Sequence, residues 1–223
     1  MNRVLVPEIL DGLAADDPRA IRSRRDLARI NAVMRQSAIM AGALAQFPAP
    51  RALADLGGGD GRFLLSVARR LAKRWPGVTA LVCDQADIVS GETRAAFARL
   101  GWRCETRTGD IFRQMPRADV MMANLFLHHF DDAQLARLLA LAAENSSAFA
   151  ACEPRRNRFA LLGAKLGWAL GGNDVTRHDA VASVRAGFAN LELAALWPPD
   201  GARRRRLTER FVLPFTHVFT AHA

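Results

Sequence analysis

The 223-residue chain predicts a doubly wound α/β fold, in which a mostly parallel sheet is covered by helices on both faces and preceded by an N-terminal helical cap. Three observations predict it. Between residues 52 and 154, short apolar runs alternate with segments whose apolar residues recur at helical spacing, the pattern of parallel strands joined by crossover helices. The first run breaks into Gly57, Gly58, Gly59 and Gly61 and then opens a helix, which sets a tight turn at a strand's carboxyl end, where open α/β sheets bind ligands. Asp84, Asp110 and Asn124 follow the next three runs, so polar groups gather along that same edge.

The elements follow in chain order. Pro7 and Glu8 suit the first turn of a short helix over residues 7–14, because proline fits there and a carboxylate complements the dipole. A second helix starts at Asp16-Asp17-Pro18, with Ile21, Leu27, Ile30 and Met34 as its apolar stripe. This cap either packs on the sheet or closes over a ligand. After Pro48 and Pro50 come a strand at 52–56, the glycine turn and a helix over 62–74, stopped by Trp75-Pro76-Gly77. Strands are expected at 78–83, 102–108, 118–124 and 148–152, with helices over 88–100 and 131–143. Two helices, near 159–170 and from a Thr176 cap to Ala186, flank a Gly171-Gly172-Asn173-Asp174 turn. Segments 191–197 and 210–221 read as an antiparallel strand pair at one sheet edge, joined by Pro198-Pro199-Asp200-Gly201 and an arginine run.

Composition narrows the function classes. Half the residues are hydrophobic and 24% are charged, as in ordinary globular proteins. No apolar run approaches the roughly 18 to 20 residues that span a bilayer, and the first residues lead to Glu8 and Asp11 without a signal-peptide core. A soluble, cytoplasmic protein with no membrane partner is expected. Cys83, Cys104 and Cys152 are odd in number and widely spaced in apolar segments, so they read as small buried hydrophobes, and no metal site is expected. The net charge of +9 raises a nucleic-acid reading. Against it, the arginine clusters at 22–25, 155–158 and 203–206 have no stacking aromatics between them, and tyrosine is absent altogether.

The polar edge carries the chemistry. A glycine turn lets a ligand approach the backbone, and the helix after it presents N–H groups to an anion. Asp84, 23 residues past Gly61, is placed to accept hydrogen bonds from a ribose diol. Asp110 is placed to accept from an exocyclic amino group, and Asn124 stands beside the bound ligand. The nicotinamide fingerprint G-x-G-x-x-G fails because its third glycine would fall at Arg62, and no Gly-Lys-Ser/Thr follows for a Walker loop.

Asp55-Leu56-Gly57-Gly58-Gly59-Asp60-Gly61 resembles motif I of class I S-adenosylmethionine (SAM)-dependent methyltransferases, and the resemblance extends over Asp84 and Gly109-Asp110-Ile111-Phe112. It implies a Rossmann-like seven-stranded sheet whose last strand is antiparallel and inserted between the fifth and sixth. It also implies SAM as cofactor, held by Asp55, Gly57, Gly59, Gly61, Asp84, Gln85, Asp110, Ile111 and Asn124. Asn124 is followed by Leu125 rather than by Pro-Pro-aromatic, and no Pro-Cys pair exists, which argues against nucleic-acid base methylation. Asn124-Leu125-Phe126-Leu127-His128-His129-Phe130 is similar instead to small-molecule methyltransferases. With Val175-Thr176-Arg177-His178-Asp179 and Ala186-Gly187-Phe188 it loosely resembles those associated with type III polyketide synthases. The expected reaction is methyl transfer to the hydroxyl of a phenolic or polyketide-like acceptor. His129 and His178 are the expected general bases, since imidazole suits that proton transfer near neutral pH. His128 and Arg155 are expected at the acceptor. Residues 1–47 are expected to form a cap or lid and 48–223 the SAM-binding domain, with 155–187 covering the acceptor site. A monomer or homodimer is expected. The alternatives are an RNA methyltransferase and a non-catalytic SAM-binding partner protein.

Overall fold

The computed structural model describes residues 1–14, 16–166, 172–199 and 205–222. Seven strands form one sheet: β1 (Ala52–Leu56), β2 (Thr79–Asp84), β3 (Arg103–Thr108), β4 (Val120–Asn124), β5 (Ala148–Pro154), β6 (Arg206–Val212) and β7 (Thr216–His222), in the order β3-β2-β1-β4-β5-β7-β6. β1 to β5 are mutually parallel, and β7 runs antiparallel to both neighbours, β5 and β6. The seven-stranded, mostly parallel sheet with its inserted last strand is therefore present. Order reverses on either side of β1 and β4, so the crevice at their carboxyl ends is the topological switch point, where ligands bind in such sheets.

Eight helices accompany the sheet among the described residues: α1 (Pro18–Val33), α2 (Gln36–Leu44), α3 (Arg62–Leu71), α4 (Gly91–Arg99), α5 (Asp132–Asn145), α6 (Arg158–Leu166), α7 (Asp174–Ala186) and α8 (Glu192–Leu196). One face of the sheet packs Val82, Met122 and Cys152 under α2 and α3, where Met40, Leu44, Leu64 and Val67 are fully buried. The other face packs Ala54, Met121 and Phe149 under α5 and α8 through Leu135, Leu138, Leu193 and Trp197. α2 thus packs in the same core as the sheet through Met40 and Leu44.

The sequence expectation fails at four places, each for a physical reason. Residues 7–14 form no α-helix; they hold a short 3-10 helix, Leu10–Gly12, because the backbone N–H groups of Ile9 and Leu10 are taken by the Asp179 carboxylate at 2.8 and 3.0 Å. Segment 191–197 is a helix, α8, whose first N–H groups, those of Leu193 and Ala194, are capped by Glu209 from β6. The antiparallel pair is instead β6 with β7, a hairpin inside the stretch read as one strand. α7 is capped by Asn173, whose Oδ1 accepts from the Thr176 N–H at 2.8 Å. The Gly171 part of the turn before it, and Arg203 and Arg204, lie outside the described residues.

α1 is the fourth difference. Asp17 caps it by accepting from the Arg19 N–H at 2.7 Å, with Pro18 at the first helical position. Its buried side is not the apolar stripe but Ala20, Ser23 and Asp26, which face α7. Thr176 Oγ1 donates there to Ser23 Oγ (3.1 Å) or Asp26 Oδ2 (3.3 Å), and the Asn173 N–H donates to Asp26 Oδ2 (3.1 Å). This polar seam turns Ile21 and Leu27 away from α7. Among the described residues, no helix is long and apolar enough to cross a membrane.

Candidate active site at the carboxyl edge of the sheet

The turn after β1 is built by three glycines with positive φ: Gly57 (71°), Gly59 (54°) and Gly61 (73°). The Gly57 and Gly58 N–H groups donate to the Cys83 carbonyl at 2.9 and 3.1 Å, stitching the turn to β2. A Cβ on Gly57 would lie 2.2 Å from the Phe126 ring, so side chains are excluded there by packing as well as by backbone conformation. Around Gly59 nothing stands within 4 Å of such a Cβ, so its bare Cα borders open space. Asp84 braces the turn from the end of β2: Oδ2 accepts from the Gly59 N–H at 2.8 Å, and Oδ1 from the Gln85 N–H at 2.7 Å. Asp55 is buried behind the turn. Burial first, and the neighbouring Asp84 charge second, push its carboxyl well above the usual carboxylate range.

A cavity of about 610 Å³ opens over this turn. One wall is Gly57, Gly58, Gly59, Asp60 and Phe63, with Asn124 and Leu125 from the end of β4. The facing wall is α1, through Ile21, Arg24, Arg25, Leu27, Ala28 and Asn31. The carboxamide oxygens of Asn124 and Asn31 are both buried without a hydrogen-bond partner among the described residues. Leu125 holds φ of 52°, a costly conformation for a residue with a Cβ, fixed by its N–H bond to the Cys152 carbonyl at 2.9 Å.

The two adjacent histidines sit just past β4, on a 3-10 turn, Leu127–His129. His128 is buried, its Nδ1 2.7 Å from Glu153 Oε2 and its Nε2 3.3 Å from Glu8 Oε1. Glu153, at 0% exposure, also accepts at Oε1 from the Phe126 and Leu127 N–H groups at 3.0 and 2.8 Å. Burial alone would lower the His128 pKa, but the hydrogen bonds and charges of Glu153 and Glu8 outweigh it and raise the pKa to about 9. Glu8 is likewise pulled below the usual range: burial raises it, yet the bond to His128 and the histidine charges more than offset this. His129 is half-buried, its ring centroid 4.3 Å from that of His128. Glu8, His128 and His129 hold ligand-capable atoms within 4.8 Å of one another, a grouping that a protonated His128 between two carboxylates accounts for.

The other expected site residues lie apart from the glycine-turn cavity. His178 is 45% exposed and borders a separate cavity of about 250 Å³ with Val6, Val181 and Arg185; its Nδ1 is 3.0 Å from Asp179 Oδ1. His178 is not among the residues that line the glycine-turn cavity, while α7, which carries it, packs against the Leu127–His129 turn. Asp110 turns its carboxylate onto its own loop, accepting from the Phe112 N–H at 2.9 Å and pairing with Arg113 at 3.5 Å. Ile111 packs on the α5 side of the core, and Gln85 is exposed. Arg155 stacks 3.6 Å above the Phe211 ring on the β6–β7 hairpin and is not among the residues lining the cavity. Arg156 and Arg205 are also used structurally, the first on the Gly187 carbonyl and Glu192, the second on the Ala143 and Ser146 carbonyls.

Residues 11–148 match the description of the O-methyltransferase domain. The chain belongs to the O-methyltransferase domain family. Over 93 residues it is 30% identical to 3-O-methylredipecamine 2-O-methyltransferase of Carapichea ipecacuanha, covering 42% of this chain and 23% of that protein. Among solved structures, mitomycin 7-O-methyltransferase MmcR superposes with a TM-score of 0.63 at 24% identity, over 96% of this chain and 60% of that one. The plantazolicin methyltransferase BpumL, solved with S-adenosylhomocysteine (SAH), superposes with a TM-score of 0.61 at 13% identity, over 93% of this chain and 91% of that one. These likenesses describe the fold, and the chain spans three fifths of MmcR and less than a quarter of the curated plant enzyme.

Within this O-methyltransferase domain, sequence reasoning missed two things. The α1 wall was hidden because Ile21, Arg24, Ala28 and Asn31 are only partly apolar, although their spacing already placed them on one helical face. The Glu153–His128 pair joins the ends of adjacent strands, a contact that only the β4–β5 pairing reveals.

Proposed function

We propose that this chain is a SAM-dependent methyltransferase acting on the hydroxyl oxygen of a small phenolic or polyketide-like acceptor. The observation that carries the reading is the open glycine turn braced by Asp84, over a cavity of about 610 Å³, within a domain of this family. The residues present fit the cofactor: a Gly59 Cα bordering open space, a carboxylate at the end of β2 and a buried, unpartnered Asn124 oxygen. When bound, SAM supplies a sulfonium methyl group open to in-line attack. The Gly57–Gly61 turn, Asp84 and Asn124 hold it, and Asp55 supports the turn from behind.

In this reading Glu8, on being displaced, carries away the proton that His128 holds at Nε2, and the freed Nε2 of His128 then takes the acceptor's proton. Glu153 anchors Nδ1, which fixes the tautomer and leaves Nε2 as the basic nitrogen, the arrangement that orients catalytic imidazoles. Glu8 occupies the approach to Nε2, so an acceptor hydroxyl reaches it by displacing that carboxylate. His129, its ring centroid 4.3 Å from that of His128, lines the same approach. The remainder of the site positions the two reactants and excludes water, which is the main demand of methyl transfer.

The test is calorimetric titration of SAH into wild type and Asp84→Ala, followed by SAM turnover on a panel of phenols, quinols and polyketide pyrones with products located by mass spectrometry. Binding weakened by Asp84→Ala, and an oxygen-methylated product, are expected. Equal binding to both proteins removes the cofactor assignment.

A further inference from the structure

α6 and the tip of the β6–β7 hairpin carry a patch that is both apolar and cationic. On α6, Arg158, Phe159, Leu162 and Lys165 recur at helical spacing and are exposed, while Ala160 is buried where the helix packs along α7. Phe159 is 66% exposed and Leu162 53%, and at the hairpin tip Leu213 reaches 76%. The two protrusions form one surface: the Phe159 and Phe215 ring centroids lie 5.7 Å apart, and the Arg155 N–H donates to the Phe215 carbonyl at 2.8 Å. Over residues 155–166 and 206–215 the single acidic residue is Glu209, whose side chain is fully buried against His217. Every charged group that these two segments present to solvent is therefore a cation. Large apolar side chains exposed together mark a surface with a partner. The cations decide which partner. A second copy seated on this face about a two-fold axis would set like charges opposite one another, whereas an anionic bilayer takes both the apolar protrusions and the flanking cations.

We propose that α6 and the hairpin tip dock this domain on the surface of an anionic lipid bilayer, with Phe159, Leu162 and Leu213 entering the acyl boundary and Arg158 and Lys165 meeting headgroup phosphates. The contact is peripheral and needs no spanning helix, and it departs from the expectation of no membrane partner. Its place in the fold gives it a use. Pro154, at the carboxyl end of β5, pairs with Thr216, so the tip stands at the same sheet edge as Glu153 and its partner His128. Docking thus holds that edge at the bilayer, where an apolar phenolic acceptor dissolves. This use rests on the function proposed above, and the docking itself does not.

The experiment is flotation of the full chain with vesicles of phosphatidylcholine alone and of an equal mixture of phosphatidylcholine and phosphatidylglycerol, at low salt. Wild type is expected to bind the anionic vesicles at least about fivefold more tightly, the value of one surface cation. Leu213→Asn and Phe159→Asn are each expected to weaken that binding about tenfold. Arg158→Gln combined with Lys165→Gln is expected to weaken it about 25-fold. An unchanged midpoint of thermal unfolding in each variant separates loss of binding from loss of folding. The charge-matched control is Arg99→Gln combined with Arg103→Gln, exposed residues of α4 and of β3 at the opposite edge of the sheet, and it is expected to stay within about twofold of wild type. Equal binding to the two kinds of vesicle, binding to neither, or an equal loss in the control overturns the proposal. So does a dimer in sedimentation velocity that Leu213→Asn dissociates, since the occupant of the patch is then a second copy. These readouts use neither SAM nor acceptor, so their failure is distinct from a failure of the methyl-transfer reading.

Discussion

Replacing His128 with Gln tests the buried Glu153–His128–Glu8 arrangement through its pH dependence. The imidazole holds its proton up to about pH 9 in the folded chain, against an ordinary value of 6.5. A shift of that size corresponds to about 3 kcal/mol of stability at 1.36 kcal/mol for each pKa unit. Because the folded value is raised, the contribution is fully present below pH 6.5, falls as pH rises toward 9 and is gone above it. His128→Gln removes the titrating group while its amide still donates to one carboxylate. The stability difference between wild type and variant should therefore shrink by about 3 kcal/mol between pH 6 and pH 10, measured by urea unfolding at fixed ionic strength. The difference between the two proteins cancels other groups that titrate in this range. A difference that stays constant within about 0.5 kcal/mol, or that grows with pH, refutes the claim that His128 shares its proton with Glu153 and Glu8.

Other substitutions separate fold from function. Gly57→Ala forces a Cβ to 2.2 Å from Phe126 at φ of 71° and should cost about 3 kcal/mol in denaturant unfolding. Gly59→Ala meets nothing within 4 Å, so it should cost only about 1 kcal/mol of stability while a methyl entering the cavity impairs SAH binding in the same calorimetric assay. His178→Ala should leave kcat within about twofold, whereas His128→Gln should lower it about 10²-fold or more, the range for losing a general base. Arg156→Ala removes bonds to the Gly187 and Met1 carbonyls, at 2.6 and 3.0 Å, and to Glu192; thermal unfolding should show a loss of about 2 to 3 kcal/mol.

The parts of the fold legible in the sequence are those with a local signature. β1 and the glycine turn were readable because positive φ leaves a residue-type mark, and β2, β4 and β5 because buried parallel strands are short, continuous apolar runs; β3, a polar edge strand, was placed by its position between Gly101 and Gly109. α8 was not readable: residues 191–197 alternate Leu191, Leu193, Ala195 and Trp197, which over seven positions imitates a strand, and Glu209, a distant cap, decides for the helix. The α1 stripe misled for a related reason. Hydrophobic residues mark a face, but Thr176 and Asn173 supply a polar seam that takes Ser23 and Asp26 into the interior instead.

The site divides along the same line. Gly57, Gly59, Asp84 and Asn124 stand together at the cavity or bracing its turn, as their places after successive strands implied. Asp110 and Arg155 satisfied the same positional logic, yet their side chains are held by Phe112 and Phe211; His178, expected from its place in the 155–187 segment, is paired with Asp179. Sequence position brings a residue to the carboxyl edge of the sheet. The direction of its side chain depends on partners elsewhere in the chain, and for His128 the decisive partner is Glu153, 25 residues away.

Single-turnover methyl transfer from labelled SAM to phenolic acceptors, by wild type and His128→Gln side by side, tests the central claim most directly. The account predicts label on the acceptor's hydroxyl oxygen with wild type, and a rate about 10²-fold or more lower with the variant at unchanged SAH affinity. Label on no small-molecule oxygen, or equal rates for the two proteins, contradicts it.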